Sequence, residues 1–375
     1  MATIYAEATL AQKTKTVDKD GNVAGGPVYY IKHVFKGNFG RIIAGFFAVS
    51  AILALGFMGA MVQSNSIANN FASALSEFGA NENITKIAVG AAITLFAAFI
   101  FLGGVSRLAS VTEKIVPIMA LFYIGGGLIV LCINITDIPA TFGLIFKYAF
   151  VPKAMLGGAI GSAFKAAVSQ GAKRGLFSNE AGMGSTPHAH ALANVKTPHE
   201  QGTVAMVSVF IDTFVVLTIT ALVAISTLYV GGTITPDNYA SLVESEAISG
   251  TNMAQLAFSA TFSKLFGVTV GNIIGKCFVA LCLLFFAFST IISWNYFGEV
   301  NFKYLFGKRA TIVYSVIAIV FVFLGSILKS DLVWALTDMF NNLMVIPNVI
   351  ALAALGGLVV SMTKFKKRGE LPEIK

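Results

Sequence analysis

Charge is scarce in this chain. Asp, Glu, Lys and Arg make up 12% of its 375 residues, against about 25% in a typical soluble domain. An ordinary water-soluble globule is therefore excluded. Cysteine is scarce too. Cys132, Cys277 and Cys282 lie in apolar stretches at no metal-ligand spacing, which leaves neither a disulfide framework nor a zinc site. No Gly-x-Ser-x-Gly elbow and no Walker lysine pattern occurs, so hydrolase and nucleotide-binding readings find no support. The first residues carry no basic stretch followed by an apolar core, and no cleavable leader is expected. His188 and His190 are one residue apart and point to different sides of a helix, with no carboxylate or thiol at zinc spacing. All four histidines, these two with His33 and His199, fall outside the apolar runs. An intramembrane nucleophile–base pair is not found, and an enzyme is not expected.

Apolar residues are what the chain has. They form 56% of it, with 36 Gly and 32 Phe, a mixture suited to helices packed together in lipid. A helical crossing needs about 20 residues. Eight such runs lie near 41–64, 85–104, 115–134, 154–176, 203–230, 268–297, 310–328 and 333–363, the fourth and last interrupted by Gly or Pro. The expected fold class is an all-α polytopic membrane protein: one transmembrane domain over 1–375, with about eight full transmembrane helices and no soluble domain.

The segments between runs alternate in charge. Lys13, Lys15, Lys32, Lys36, Arg41, Arg107, Lys114, Lys173, Arg174, Lys196, Lys303, Lys308 and Arg309 form one set, and Glu77, Glu82, Asp137, Asp237 and Glu244 the other. The positive-inside rule places the basic set in the cytoplasm of a cell (inner) membrane protein. Residues 12–40 then read as a polar cytoplasmic loop, with a turn at Asp18-Lys19-Asp20-Gly21-Asn22, and 364–375 as a basic cytoplasmic tail. The net charge of +8 is thereby assigned to membrane orientation, and no nucleic-acid partner or obligate protein partner is expected.

Polar residues inside a span are costly, so they mark cavities or contacts between helices. Four places stand out. Gly175-Leu176-Phe177-Ser178-Asn179-Glu180-Ala181-Gly182-Met183-Gly184-Ser185 will not hold a regular helix in lipid. Such backbone either lines a cavity, offering N–H groups to anions and C=O groups to cations, or simply caps a helix. Ser289, Thr290 and Ser293 put hydroxyls late in a long apolar helix, where they ligate a hard cation or bond back to their own helix. Gln63, Ser66 and Asn70 share a helical face beside Asn65 and Asn69, forming a pathway lining or an interhelical network. Asp212 is an acid inside an apolar run, either functional or part of a structural pair.

The stretch Arg174–Ser185 closely resembles the signature of the alanine or glycine:cation symporter family. Phe210-Ile211-Asp212-Thr213, Phe286-Ala287-Phe288-Ser289-Thr290, Trp294 with Tyr296, and Ile346-Pro347-Asn348 also resemble family segments in order along the chain. The resemblance implies a leucine-transporter-like inverted-repeat fold and sodium-coupled symport of a small neutral amino acid such as alanine or glycine. By resemblance, Phe177, Ser178, Asn179, Gly182, Gly184, Trp294 and Gln63 are the substrate residues, and Ser289 and Thr290 belong to the Na⁺ site. Asp212, Asn65 and Ser293 are coupling or structural candidates, with Na⁺ as the coupling ion. Thr186, His188 and His190 stand where the family has small residues, implying a narrower inner pathway or a pH response. The resemblance also suggests that the family's first core helices are missing, so that the chain is N-terminally truncated and is a non-transporting fragment if it cannot work alone.

Overall fold

Lipid offers no hydrogen bonds, so a crossing backbone must bond to itself, and helices follow. The computed structural model describes residues 1–17, 23–150, 160–235, 237–245, 248 and 250–366. In chain order the helices are α1 (Ala2–Thr14), α2 (Pro27–Val34), α3 (Gly37–Ser76), α4 (Glu82–Phe101), α5 (Gly104–Ile133), α6 (Ile138–Phe150) and α7 (Ile160–Asn179). They continue with α8 (Pro187–Leu192), α9 (Pro198–Val230), α10 (Tyr239–Glu244), α11 (Asn252–Phe266), α12 (Val268–Phe306), α13 (Thr311–Ile327) and α14 (Ser330–Lys366). A two-residue hairpin, β1 (Thr16–Val17) against β2 (Val23–Ala24), joins α1 to α2.

Local chemistry sets many boundaries. Pro27 and Pro198 start their helices at the first turn, where a missing N–H costs nothing. Asn81 caps α4 by accepting from the N–H groups of Asn83 and Ile84. Gly267 and Gly307, at φ 81° and 83°, bracket the 39 residues of α12. Wide π turns occur at Ile52–Gly59 in α3 and at Ile211–Val216 in α9, a distortion often found at functional sites.

Seven helices among the described residues are long and apolar enough to cross a membrane. The eighth expected run, 154–176, lies partly outside the described residues, and its described part belongs to α7. Connectivity still requires a return crossing there. Asn134, at the end of α5, bonds to Thr227 near the end of α9 at 3.2 Å, so these two ends lie side by side. Before α9 begins, the chain has to come back, and because Arg174 still lies with Glu82 and Asp331 at the acidic end, the last turn of α7, the break after it and α8 make that return. Pro347 lies inside a continuous α14, so 333–363 is one crossing. Leu95, Leu121 and Val313 are among many exposed apolar side chains, as expected of helices that face lipid.

Two expectations about the segments between runs are corrected. Residues 12–40 are not simply a polar loop: they contain α2, whose Val28, Tyr30 and Ile31 are fully buried in the main core with Phe47, Met183 and Trp294. The polar composition hid it because Lys32 and His33 occupy its last turn. Arg174 does not sit among the basic loops. It lines a cavity with Glu82, Lys86 and Asp331, at the end of the bundle that carries the acidic segments. The turn at 18–22 and the basic tail beyond residue 366 lie outside the described residues.

That acidic end is braced by polar contacts. Asn65 donates to the carbonyls of Gly325 and Leu328 at 2.8 and 2.7 Å and accepts from Asn69 and Ser330 at 2.9 and 2.8 Å. It satisfies carbonyls freed at the end of α13 and ties α3 to the start of α14. Nearby, Lys276 meets Glu77 at 2.5 Å and holds its carboxyl below the usual carboxylate range. Asn65 is therefore a brace between helices. Replacing it by Leu should lower stability by about 1–3 kcal/mol, read as a lower melting temperature in detergent. Its substrate affinity should stay within a factor of two of the parent.

Candidate functional site

The stretch 175–185, expected not to hold a helix, is helical as far as Asn179 and breaks only after it. α7 ends at Asn179 and helical structure resumes at Pro187. Between them Glu180, Gly182 and Gly184 take φ of 56°, 98° and 84°, and Glu180 is the one non-glycine residue with positive φ among those described. At Gly184 a Cβ would lie 2.8 Å from the Phe47 ring, and at Gly182 3.2 Å from Thr3. Both positions thus need glycine for backbone shape as well as for space.

One carboxylate organises this break. Glu7, fully buried on α1, accepts from the N–H of Gly182 at 2.9 Å and of Gly184 at 3.0 Å. Asn348 of α14 donates to Glu7 at 2.7 Å and to the Gly182 carbonyl at 2.9 Å, while Tyr30 of α2 donates to Asn348 Oδ1. Every partner of Glu7 is a donor, which is what a carboxylate requires. Four separate segments therefore meet at backbone that lipid could not solvate.

A second acid, Glu180, accepts from Trp294 Nε1 at 2.8 Å and from the Ser185 hydroxyl. These bonds hold its strained backbone in place, and strain of about 1–3 kcal/mol survives only where its surroundings enforce it. Trp294 is buried on α12, its ring lying where a Cβ on Gly59 would be 2.2 Å away. Phe177 packs edge-on against Trp294 at 5.4 Å and at a tilt against Trp334 at 5.1 Å. Arg174 caps that stack, 4.4 Å from the Trp334 ring centre, and pairs with Asp338 at 2.9 Å. With Arg174 43% and Asp338 19% exposed, such a pair contributes about 0–1 kcal/mol.

The third acid is Asp212. The π turn of α9 presents it to Ser178, whose hydroxyl donates to Asp212 Oδ2 at 3.2 Å. Asn179 turns back, accepting from the N–H of Ala181 at 3.1 Å. No Lys or Arg forms an ion pair with Glu7, Glu180 or Asp212 among the described residues. They are not grouped tightly enough to hold one ion together. The break is thus acidic in character, and the C-terminal end of α7 adds its negative dipole end there.

The expected site residues divide into two groups. Phe177, Ser178, Asn179, Gly182, Gly184, Trp294 and Asp212 come together around the break. The others lie apart from its hydrogen bonds. Asn65 braces the acidic end. Ser289 and Thr290 donate to their own helix at Phe286 O, at 2.9 and 3.0 Å, and Ser289 also touches Met119 Sδ at 3.8 Å. Gln63 and Ser293 are half-buried. The expected pH response at His188 meets a geometric obstacle. Its Nδ1 faces the Ser185 carbonyl at 2.7 Å and must carry the proton, while Nε2 faces the Asn301 amide nitrogen at 2.8 Å and must accept. The ring is therefore neutral, buried between Phe47 and Phe297. His190 likewise accepts from Gln201 at 2.8 Å.

Sequence reading missed Glu7, Asn348, Tyr30 and Trp334 as site residues. Glu7 offered a signal, an acid in an apolar helix. Asn348 offered another, an amide beside an intrahelical proline. Tyr30 lay in a segment read as loop, and Trp334 in the first turns of an apolar run.

A bundle of apolar helices with one crossing broken at positive-φ glycines and lined by Glu7, Glu180 and Asp212 defines a multi-pass membrane protein with a polar site inside the bundle. Residues 1–371 match the sodium:alanine symporter family, and the chain belongs to that family of amino-acid/cation symporters. It is 39% identical over 365 residues to the sodium/alanine symporter AgcS of Methanococcus maripaludis, covering 97% of this chain and 74% of that protein. It is 35% identical to the probable sodium/glutamine symporter GlnT of Bacillus subtilis, covering 99% and 71%, and 33% identical to a sodium/proton-dependent alanine carrier protein of Bacillus sp. strain PS3, covering 94% and 75%. The family match over 1–371 does not bear out the expectation of a truncated chain or inactive fragment.

Glu7→Gln would turn an amide donor toward at least one buried N–H or the Asn348 amide. It should destabilise the protein by about 2 kcal/mol and lower amino-acid uptake in liposomes more than tenfold. Glu7→Asp should recover part of both, read by melting temperature and uptake in parallel.

Proposed function

We propose that this chain carries small neutral amino acids, of the alanine or glycine type, across the cell membrane together with Na⁺. The observation that carries this reading is the break at 180–186, held open by Glu7 and Asn348. A helix opened at this depth offers polar backbone to a polar cargo. The N–H groups of Gly182 and Gly184 are already taken by Glu7, so this side of the site suits positive charge. The ammonium group of the substrate fits the end of α7, near Ser178, Asn179 and Asp212. Phe177 and Trp294 wall the space above it and favour a small side chain. Relatives named for alanine and for glutamine both match closely, so size selection rests on those two rings.

Ser289 and Thr290 remain the proposed Na⁺ ligands. Each hydroxyl donates to Phe286 O and keeps lone pairs for a hard cation. Gln63, half-buried on α3, is assigned to the substrate pathway. The transport cycle is alternating access on a leucine-transporter-like inverted repeat, the basic end and the C-terminus facing the cytoplasm. Na⁺ and amino acid share a coupling free energy, typically about 1–3 kcal/mol.

In proteoliposomes, alanine should accumulate only with an inward Na⁺ gradient. Uptake indifferent to that gradient would remove the symport assignment. Ser178→Leu should reduce uptake more than tenfold at unchanged protein level. Full activity in that variant would move the substrate away from the break.

A further inference from the structure

A buried side-chain amide is unfavourable unless its donors and acceptor find partners. Asn70 and Asn301 spend their NH₂ groups on Ser66 and Thr251, and on Phe297 and His188. Asn341 of α14 is different. It is 6% exposed, its Oδ1 is sealed without a donor, and its nitrogen makes no hydrogen bond among the described residues. Asn295 on α12 shares this state, but Asn341 lies on the helix that holds the break through Asn348.

The position of Asn341 follows from its neighbours along α14. Trp334 meets Phe177, Asp338 meets Arg174, and Asn348 meets Gly182. Asn341 falls on the same stripe of the helix as these three, about 10 Å along the axis from Asn348. It therefore stands between the contacts at Arg174 and Gly182, the interval that holds Phe177, Ser178 and Asn179. One turn earlier, Thr337 donates to the Met58 carbonyl in the π turn of α3 at 3.1 Å, and Gly59 of that turn lies against the Trp294 ring. The amide is thus placed where α3, α7 and α14 meet, beside the space assigned above to the amino acid.

That space has acceptors for an ammonium group, but most of its donors are engaged. Glu7 takes the N–H groups of Gly182 and Gly184, Glu180 takes Trp294 Nε1, and Asp212 takes the Ser178 hydroxyl. A carboxylate needs donors, and a primary amide has two. We propose that Asn341 is a substrate residue whose NH₂ group donates to the α-carboxylate of the bound amino acid. This rests on the amino-acid symport reading and adds to it the contact for the negative end of the substrate.

The test uses the whole protein, with Na⁺-driven alanine uptake in proteoliposomes and the melting temperature in detergent. Asn341→Leu removes an unpartnered amide, so the ligand-free protein should melt at the same temperature or higher. KM for alanine should rise at least tenfold, and the rise in melting temperature caused by alanine should disappear. Asn341→Asp sets a second carboxylate against that of the substrate. Alanine KM should again rise at least tenfold. Alaninamide, which keeps the ammonium group and lacks the carboxylate, should then compete better than alanine, the reverse of the parent's preference. An amide with only a structural role would lower the melting temperature in both variants and leave that preference unchanged, which overturns the proposal. An alanine KM within twofold of the parent in Asn341→Leu overturns it as well. If Asn341→Leu does not fold, the preference measured in Asn341→Asp decides alone. Should the parent take up alanine without regard to the Na⁺ gradient, the symport reading fails, and the melting shifts with alanine and alaninamide still decide the role of Asn341.

Discussion

The carboxylate of Glu7 is the contact on which the rest of the site depends. A helix cannot be opened inside a bilayer unless something replaces the hydrogen bonds that the opening removes. Glu7 does this for two N–H groups, and Asn348 does it for the Gly182 carbonyl. Tyr30 fixes Asn348 in turn. Because these groups come from α1, α2 and α14, the break forms only when those helices are packed around it. The stability of the bundle and the shape of the site are therefore the same problem.

Using an acid for this task has an electrostatic consequence. The donors that a broken helix would otherwise offer to an anion are consumed, and Glu180 and Asp212 add further negative charge nearby. The interior is left suited to cations and ammonium groups, while Lys86, Arg174 and Lys276 line the cavity at the acidic end. Contacts of Trp334 with Phe177, Phe177 with Trp294 and Trp294 with Glu180 run from the cavity wall to the strained backbone.

Hydroxyls and amides elsewhere show how the same residue types serve the scaffold. Asn65, polar inside an apolar run, read either as a pathway lining or as part of an interhelical network. Its four bonds are those of the network, closing off a helix end and a helix start. His188 looked like a possible pH sensor, but a carbonyl on one ring nitrogen and an amide donor on the other fix it neutral.

Hydropathy alone was enough for seven of the crossings, because a span is a one-dimensional property: length and apolarity set it, whatever its neighbours. The break was legible in part for the same reason: Gly182 and Gly184 interrupt the helix, whereas Gly175 and Asn179, read as part of the same interruption, stay inside α7. What the sequence could not reveal was which partners make that break affordable. Glu7 and Asn348 are 341 positions apart, and their meeting depends on how four helices pack. The burial of α2 and the position of Arg174 at the acidic end were hidden for a related reason. Polar composition describes a segment's own residues, while burial depends on what is folded over it.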